Sequence, residues 1–101
     1  MDKESLCLEG MELFSDDKLD EAVEVLSKAL ELDPTYGDAL HALAMTLYHK
    51  GDVDRAIELG ERLRAAEPDN VHAYTSLSMF YNAKGFIAKA EEMGAEAAKR
   101  A

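Results

Sequence analysis

Apolar residues recur three and four positions apart along most of the chain, which is the spacing of one face of an α-helix. Residues 37–66 contain two such runs, the first made of Leu40, Leu43, Ala44 and Leu47 and the second of Ala56, Ile57, Leu59 and Leu63. Lys50 and Gly51 separate the runs, and Asp52 stands where the N-cap of a second helix belongs. The pattern therefore predicts a helical hairpin.

The same layout appears on either side of this hairpin. Pro68 ends its second helix, because proline has no amide hydrogen and disfavours the helical conformation at Glu67. In the first third of the chain, Asp17 is the predicted cap of the second helix and Pro34 follows its end. In the last third, Gly85 marks the turn between two further helices. The sequence predicts an all-α protein with six helices.

An internal repeat of 34 residues explains this layout. Residues of one type recur at that interval: Pro34 and Pro68, Gly51 and Gly85, the alanines Ala22, Ala56 and Ala90, and the methionines Met11, Met45 and Met79. A period of this length is typical of stacked helical units. We divide the sequence into repeats 3–36, 37–70 and 71–101 and expect them to form one domain over residues 1–101.

Several positions of the repeat keep one kind of side chain when residues 3, 37 and 71 are taken as position one. Large residues occupy position four, small residues occupy position eight, and position twenty is always alanine; the first two sets are Leu6, Leu40 and Tyr74, and Gly10, Ala44 and Ser78. In its length, small residues and terminal proline, the unit resembles the tetratricopeptide repeat. That resemblance implies a right-handed α-solenoid of three helix-turn-helix hairpins.

Some positions depart from the family pattern. Tryptophan is absent, Glu9 stands where leucine is usual, and Gly60 and Gly94 replace a customary aromatic residue at position twenty-four. We expect these departures to weaken local packing without changing the fold.

The resemblance also implies that the first helix of each repeat lines a concave groove through positions two, five, nine, twelve and thirteen. These positions hold Glu4, Cys7, Met11, Phe14 and Ser15, then Asp38, His41, Met45, Tyr48 and His49, then His72, Thr75, Met79, Asn82 and Ala83. Methionine side chains are flexible and polarizable, so a row of them suits an apolar segment of variable shape. The competing interpretation is that the methionines fill the helical core.

Charge narrows the range of partners. The net charge is -10 and it is graded: residues 1–36 carry three basic and eleven acidic side chains, residues 37–70 carry four and seven, and residues 71–101 carry four and three. Such a surface repels phosphate, so we expect neither nucleic acid nor a membrane as partner. A protein or peptide partner that is apolar, and either basic or neutral, is favoured.

The acidic tails of heat-shock chaperones are not expected as ligands. Family members that bind them resemble one another in a clamp of lysine, arginine and asparagine on the concave face. The corresponding positions here hold Cys7, Met11, Ala42, His72 and Ser76, so an anionic carboxylate would meet no permanent cation.

The sequence contains no motif of a known catalytic class. It lacks a glycine-rich phosphate loop, HExxH and GxSxG, so we expect no enzyme activity and no cofactor. Thiol, thioether and imidazole groups on the predicted groove suit copper(I), and soft-metal binding remains a minor alternative; these groups belong to Cys7, His41, His49, His72 and the three groove methionines. None of these residues has a tight ligand spacing on one helix, so no metal site is predicted.

The expected compartment follows from what the sequence lacks. A single cysteine excludes an internal disulfide. Neither a signal peptide nor a membrane-spanning stretch is recognisable. We therefore expect a cytoplasmic protein.

The C-terminal helix is a second candidate surface. Tetratricopeptide stacks commonly end in an extra polar helix, whereas this sequence ends within its third hairpin. A strip of apolar residues would then be exposed, namely Ile87, Ala90, Met93, Gly94, Ala97 and Ala98. We expect a non-catalytic interaction module, acting as an adaptor, assembly factor or small chaperone. The alternative is a scaffold that forms homo-oligomers through this helix.

Overall fold

The computed structural model describes residues 1–101 as six α-helices without a strand. In chain order they are α1 (Lys3–Ser15), α2 (Leu19–Leu32), α3 (Gly37–His49), α4 (Val53–Ala66), α5 (Val71–Ala83) and α6 (Ile87–Arg100). Consecutive helices pair as three hairpins, and the hairpins stack through contacts of α2 with α3 and of α4 with α5. The predicted all-α solenoid of six helices is confirmed. None of the helices combines the length and apolar character that crossing a membrane requires.

Side-chain caps mark the beginning of three helices. Asp2 accepts a hydrogen bond from the amide of Ser5 at 2.7 Å, and Asp52 accepts one from the amide of Arg55 at 3.3 Å. Asn70 caps α5 through its side-chain oxygen in the same manner. The predicted cap at Asp52 is confirmed, and each cap satisfies an amide that has no partner within the helix.

The predicted cap at Asp17 is wrong. Lys18 precedes α2 without a side-chain capping bond, and Asp17 has a left-handed backbone with φ of 62°. Gly51 and Gly85 hold the same repeat position with φ of 91° and 81°. The turn inside each hairpin therefore requires a left-handed residue, a conformation that glycine adopts without steric cost.

A continuous apolar core runs through the three hairpins, and it depends on close approaches between helices. Within the first hairpin, a Cβ added to Gly10 would lie 2.5 Å from Cγ of Leu26. Real Cβ atoms do not approach other atoms so closely, so any larger residue in place of Gly10 would collide with Leu26. Leu26 occupies the space that glycine leaves open.

Gly60 does not weaken the packing in the way the sequence comparison suggested. A Cβ at this position would lie 2.7 Å from Cδ2 of Leu77 and 3.6 Å from a ring carbon of Phe80. Both of these side chains belong to α5 of the next hairpin, and both are fully buried. Because Gly60 has no side chain, α4 has a depression at this point, and the side chains of α5 pack into it.

An ion pair recurs between neighbouring hairpins. Lys50, which follows α3, pairs with Asp20 at the start of α2, and Lys84, which follows α5, pairs with Asp54 at the start of α4 at 3.0 Å. The end of one helix thus meets the start of the other, so the helices in each of these pairs run antiparallel. Because the carboxylates are exposed, these pairs contribute little stability and mainly mark the register between hairpins.

Replacing Asp17 by glycine should stabilise the protein. The left-handed conformation costs ordinary residues steric energy that glycine avoids, so Asp17→Gly is expected to raise the free energy of unfolding by about 1 kcal/mol. Asp16→Gly is the matched control, because it removes the same charge from a residue with negative φ. Urea denaturation followed by circular dichroism measures both variants, and equal effects would contradict a backbone origin.

Alanine should have opposite effects at two helical glycines. Gly10→Ala places a methyl group against Leu26 and is expected to cost roughly 1–3 kcal/mol of stability. Gly94→Ala meets only Ser78 Oγ, at 3.6 Å, and should gain about 0.5–1 kcal/mol because alanine favours the helix. Thermal denaturation of the two variants measures both changes in stability. If both lost stability alike, close approach at Gly10 would not be the cause.

Candidate functional site

The first helices of the three hairpins lie side by side and form one face of the stack. α1 contacts α3, and α3 contacts α5. On this face, 47% of Met11 and 37% of Met79 are exposed, whereas Met45 is half-buried against the core. The three methionines at position nine therefore lie at the boundary between core and solvent.

Met11 and Met45 share one depression between α1 and α3, which we call the anchor pocket. Its volume is about 190 Å³, and its mostly apolar wall consists of Met11, Phe14, Ser15, His41, Ala42 and Met45. Pockets for drug-sized ligands usually measure roughly 300–1,000 Å³. The anchor pocket is therefore of a size for one side chain.

Aromatic rings cluster near the C-terminal ends of α1 and α3. The ring of Phe14 meets that of His49 edge to face at 5.0 Å, and the Tyr48 ring lies 5.7 Å from His49. Tyr48 also lies 5.1 Å from Phe80, which anchors the cluster to the core through α5. Three of the predicted groove residues, Phe14, Tyr48 and His49, are thus brought together beside the anchor pocket.

The structure also pairs two predicted groove histidines, His41 of α3 and His72 of α5, with ring centroids 5.5 Å apart. Ser76 Oγ lies 3.3 Å from Nε2 of His41 and 3.9 Å from Sδ of Met45. Burial lowers the pKa of His41 and so does the nearby His72, while Asp38 has the opposite effect. His41 is therefore mainly neutral at pH 7.

Cys7 does not line the open face, although the repeat register placed it there. Only 2% of this residue is exposed, and its Sγ lies 3.9 Å from Sδ of Met11 within the core. Burial, with a smaller contribution from Asp38, raises the pKa of the thiol. Cys7 supports the anchor pocket from beneath as a protonated, apolar residue.

The N-terminal end of this face is acidic. Glu4 and Asp38 are both exposed, and neither forms an ion pair with a basic side chain. The nearest basic residue along the chain, Lys3, instead pairs with Asp33 at 2.6 Å. Asp38 lies close enough to His41 of the pocket wall to affect the pKa of its imidazole, whereas Glu4 precedes Met11 by seven residues, about two turns of α1.

Three of the predicted groove residues of the third repeat, Thr75, Met79 and Asn82, lie in a separate recess between α5 and α6, which we call the terminal cleft. Its volume is about 690 Å³, and it is lined by Thr75, Ser78, Met79, Asn82, Ile87, Ala90, Glu91, Gly94 and Ala97. The cleft thus combines Thr75, Met79 and Asn82 with four of the residues predicted for self-association. The single predicted groove is divided into two surfaces.

The predicted exposure of the C-terminal strip is wrong for two residues. Met93 is fully enclosed and only 6% of Ala90 is exposed, because both side chains pack into the core beneath α5. Ile87 is 51% exposed, and Gly94 and Ala97 are half-buried in the cleft wall. Ala98 is exposed outside the cleft. The apolar surface at this end is therefore a cleft rather than a flat strip.

Potential metal ligands do not converge on this face. No group of three or more histidine, cysteine, aspartate or glutamate side chains is placed to hold one ion. Cys7 is buried, and His49 contacts Phe14 and Tyr48 rather than the His41–His72 pair. We derive no metal chemistry from these residues.

Four residues of the two surfaces were not among the predicted site residues, although Ala42 and Ser76 were recognised as positions of the family's carboxylate clamp. Ala42 lines the anchor pocket and Ser76 joins His41 to Met45, and both hold position six of their repeats. Ser78 and Glu91 line the terminal cleft. The second and third repeats carry small residues at positions six and eight. Small residues allow neighbouring helices to approach closely, and this was the signal available in the sequence.

Acid should destabilise the fold through His41. The pKa of this residue is below 6.5 in the folded protein and near 6.5 in the unfolded chain, so the unfolded chain takes up the proton first as the pH falls. His72 and Asp38 are the charged or titrating groups that face it. The free energy of unfolding should therefore fall between pH 7.5 and pH 5.5, and fall less in His41→Gln.

Urea midpoints at the two pH values measure this difference. The control is His49→Gln, because His49 is exposed and its replacement should leave the loss at low pH unchanged. If both variants lost stability with acid as the parent protein does, His41 would not be the titrating group.

Comparison with known proteins identifies the kind of repeat. A model of the tetratricopeptide repeat matches residues 13–79, about two thirds of the chain. None of the curated proteins matches the sequence. Solved structures, in contrast, match the fold over nearly the whole chain.

Three of these structures show the range of similarity. MamA is 27% identical with a TM-score of 0.94, and the match covers 98% of this chain and 58% of MamA. YrrB, described as a tetratricopeptide protein with an unusual peptide-binding site, is 22% identical with a TM-score of 0.92, over 99% of this chain and 52% of YrrB. The first tetratricopeptide domain of Spaghetti (RPAP3), solved with the HSP90 peptide SRMEEVD, is 17% identical with a TM-score of 0.94, over 97% of this chain and 78% of that one.

The chain spans between about half and three fifths of the length of MamA and YrrB. The likeness to YrrB and Spaghetti is one of fold. The family model, in contrast, matches the sequence itself, from the end of α1 into α5. This chain belongs to the tetratricopeptide repeat family.

Proposed function

We propose that this protein is a non-catalytic interaction module that binds an apolar, basic peptide across α1 and α3. The observation that carries the proposal is the anchor pocket, where Met11 and Met45 offer apolar surface beside a space for one side chain. Burying one large apolar side chain there would contribute about 1.5–3 kcal/mol. With a few further contacts, such a peptide would bind with micromolar affinity, about 8 kcal/mol.

Charge supports a basic peptide. Glu4 and Asp38 lie on the two helices that form the anchor pocket, and both are exposed without a basic partner. A lysine or arginine close to the anchoring side chain would meet Asp38, and one about two helical turns further towards the N-terminal end of the face would meet Glu4. His41 is mainly neutral at pH 7, because its pKa is lowered, so it does not oppose the approach of a cation.

An acidic peptide fits this surface poorly. The Spaghetti domain was solved with SRMEEVD, whereas this chain has no lysine or arginine at the positions of the family's carboxylate clamp. Carboxylates of a bound tail would instead lie near Glu4 and Asp38 and be repelled. We infer that chaperone tails of this type are not ligands of this protein.

The family context fits binding rather than catalysis. YrrB is described by its peptide-binding site, and the Spaghetti domain was solved in a peptide complex. An adaptor, an assembly factor and a small chaperone each need one surface that accepts a short segment of another protein. The anchor pocket and its acidic border meet that need without any reactive group.

Two labelled peptides of twelve residues test the proposal. The first carries two leucines among lysines and serines, and it should bind with micromolar affinity in a fluorescence anisotropy titration. The second has glutamate in place of each lysine and should bind at least about tenfold more weakly, because it faces an acidic surface. Equal affinities, or preference for the glutamate peptide, would contradict the proposal.

A matched pair of variants locates the binding surface. Met45→Gln keeps the size of the side chain but makes it polar, and it should weaken binding of the lysine peptide about tenfold, equivalent to about 1.4 kcal/mol. Leu32→Gln is the control, since Leu32 is 60% exposed and lies on α2 outside the anchor pocket. Unchanged affinity in Met45→Gln would place the peptide elsewhere.

A further inference from the structure

One side chain in the wall of the anchor pocket can change its charge near neutral pH. Of the 6 residues that form the wall, only His41 titrates in this range; the others are two methionines, a phenylalanine, a serine and an alanine. His41 is half-buried, and a charge in such a position is screened less by salt than an exposed one. A proton on this ring therefore places a positive charge where a peptide side chain would bind.

The ring of His41 has a hydrogen-bond partner in both of its charge states. Ser76 Oγ of α5 lies 3.3 Å from Nε2 of His41. A hydroxyl group can donate a hydrogen bond to the neutral nitrogen or accept one from the protonated nitrogen, so this contact suits both forms. When the hydroxyl accepts, its own hydrogen can turn to Sδ of Met45, which lies 3.9 Å away. His41 can therefore take up a proton without leaving the pocket wall.

Two titratable groups act directly on His41. His72 of α5 has its ring centroid 5.5 Å from that of His41, and Asp38 precedes His41 on α3 by about one helical turn. Burial lowers the pKa of His41 below 6.5, His72 adds to that effect, and Asp38 opposes it. The ring is therefore mainly neutral at pH 7.5 and gains its proton as the pH falls below 6.5.

The remaining charged groups on the helices to either side of His41 are paired, neutral or outside the pocket wall. On α1, Lys3 pairs with Asp33, and burial raises the pKa of the Cys7 thiol and so keeps it protonated. The acidic residues of α1 are exposed and do not belong to the pocket wall, namely Glu4, Glu9 and Glu12. α5 carries no lysine, arginine, aspartate or glutamate. Mild acid therefore changes the charge here through the two histidines, and His41 is the one that lines the pocket.

We propose that protonation of His41 sets the charge preference of the anchor pocket, so that basic peptides bind while the ring is neutral and bind more weakly once it is charged. This inference rests on the proposed function, because it concerns the same pocket and the same class of peptide. At pH 7.5, a lysine beside the anchoring side chain meets Asp38 and a neutral imidazole. At pH 5.5 it also meets a positive charge at the pocket wall, and like charges at close range repel each other.

Proton uptake and peptide binding oppose each other at this site. A bound lysine disfavours the charged form of His41 and so lowers the pKa of the ring further. Because such coupling is reciprocal, a proton on His41 weakens binding of the lysine peptide by the same factor. The affinity for a basic peptide is therefore highest well above pH 6.5 and decreases as the pH falls through the pKa of His41.

Three peptides that differ only in charge test the inference by fluorescence anisotropy. They are the lysine peptide, the glutamate peptide and a peptide with serine in place of each lysine. Between pH 7.5 and pH 5.5, the lysine peptide should bind about fivefold more weakly and the glutamate peptide about fivefold more tightly, since glutamate remains ionised at pH 5.5. The affinity of the serine peptide should change by less than about twofold, because it carries no charge to be attracted or repelled.

Two variants identify the group that takes up the proton. In His41→Gln, the ratio of the lysine-peptide affinities at the two pH values should fall to less than about twofold, whatever the affinity at pH 7.5. His72→Gln removes the ring that disfavours the proton on His41, so the loss of affinity should have its midpoint at a higher pH than in the parent protein. Titrations at half-unit steps of pH between 7.5 and 5.5 measure this midpoint. The matched control is His49→Gln, since His49 is exposed and does not line the pocket, and it should keep the affinity ratio of the parent protein.

The possible failures are distinguishable. If the lysine peptide does not bind at pH 7.5, or binds equally well in Met45→Gln, the proposed function is wrong and this inference fails with it. If the peptide binds through Met45 but its affinity is the same at both pH values, or falls equally in His41→Gln, only the role of His41 is overturned. Parallel weakening of all three peptides at pH 5.5 would also overturn that role, because loss of folded protein, which circular dichroism detects, would then explain the effect of acid.

Discussion

The architecture of this protein depends on glycines, which have no side chain, at the points where helices come closest. Gly10 leaves the space that Leu26 fills inside the first hairpin, and Gly60 leaves the space that Leu77 fills between the second and third. These contacts set how closely α1 approaches α2 and how closely α4 approaches α5. In the resulting stack α1 contacts α3 and α3 contacts α5, and the residues at position nine lie at the edge of the core. The candidate binding surface is therefore a consequence of packing.

The chemistry of this surface is that of the residues at the boundary between the core and solvent. Leucine and alanine make up most of the interior, and Met11 and Met45 lie between core and solvent beside Phe14 and the mainly neutral ring of His41. Carboxylates border the same surface, and the chain as a whole carries a net charge of -10. An apolar contact provides most of the binding energy in such a site, while the charge selects among apolar segments.

The helices were predictable because apolar spacing and helix breakers act locally. The left-handed conformation of Asp17 was not predictable, because the geometry of the turn determines it. An aspartate also caps helices in other contexts, so its identity did not indicate this conformation. Position five shows the same limit within the site. Cys7 is buried, His41 is half-buried beside His72 of α5, and Thr75 is exposed. These residues hold the same position of the repeat, so the sequence alone does not distinguish their burial. Their burial depends on the helix that lies beside each of them.

The five methionines allow one measurement of where a peptide binds. With ¹³C-labelled methionine methyl groups, titration of the lysine-leucine peptide should shift the signals of Met11 and Met45, which line the anchor pocket, and leave those of Met1 and Met93 in place. Met79 lines the terminal cleft and should move little. If the peptide bound while the signals of Met11 and Met45 stayed unchanged, the anchor pocket would not be the binding site.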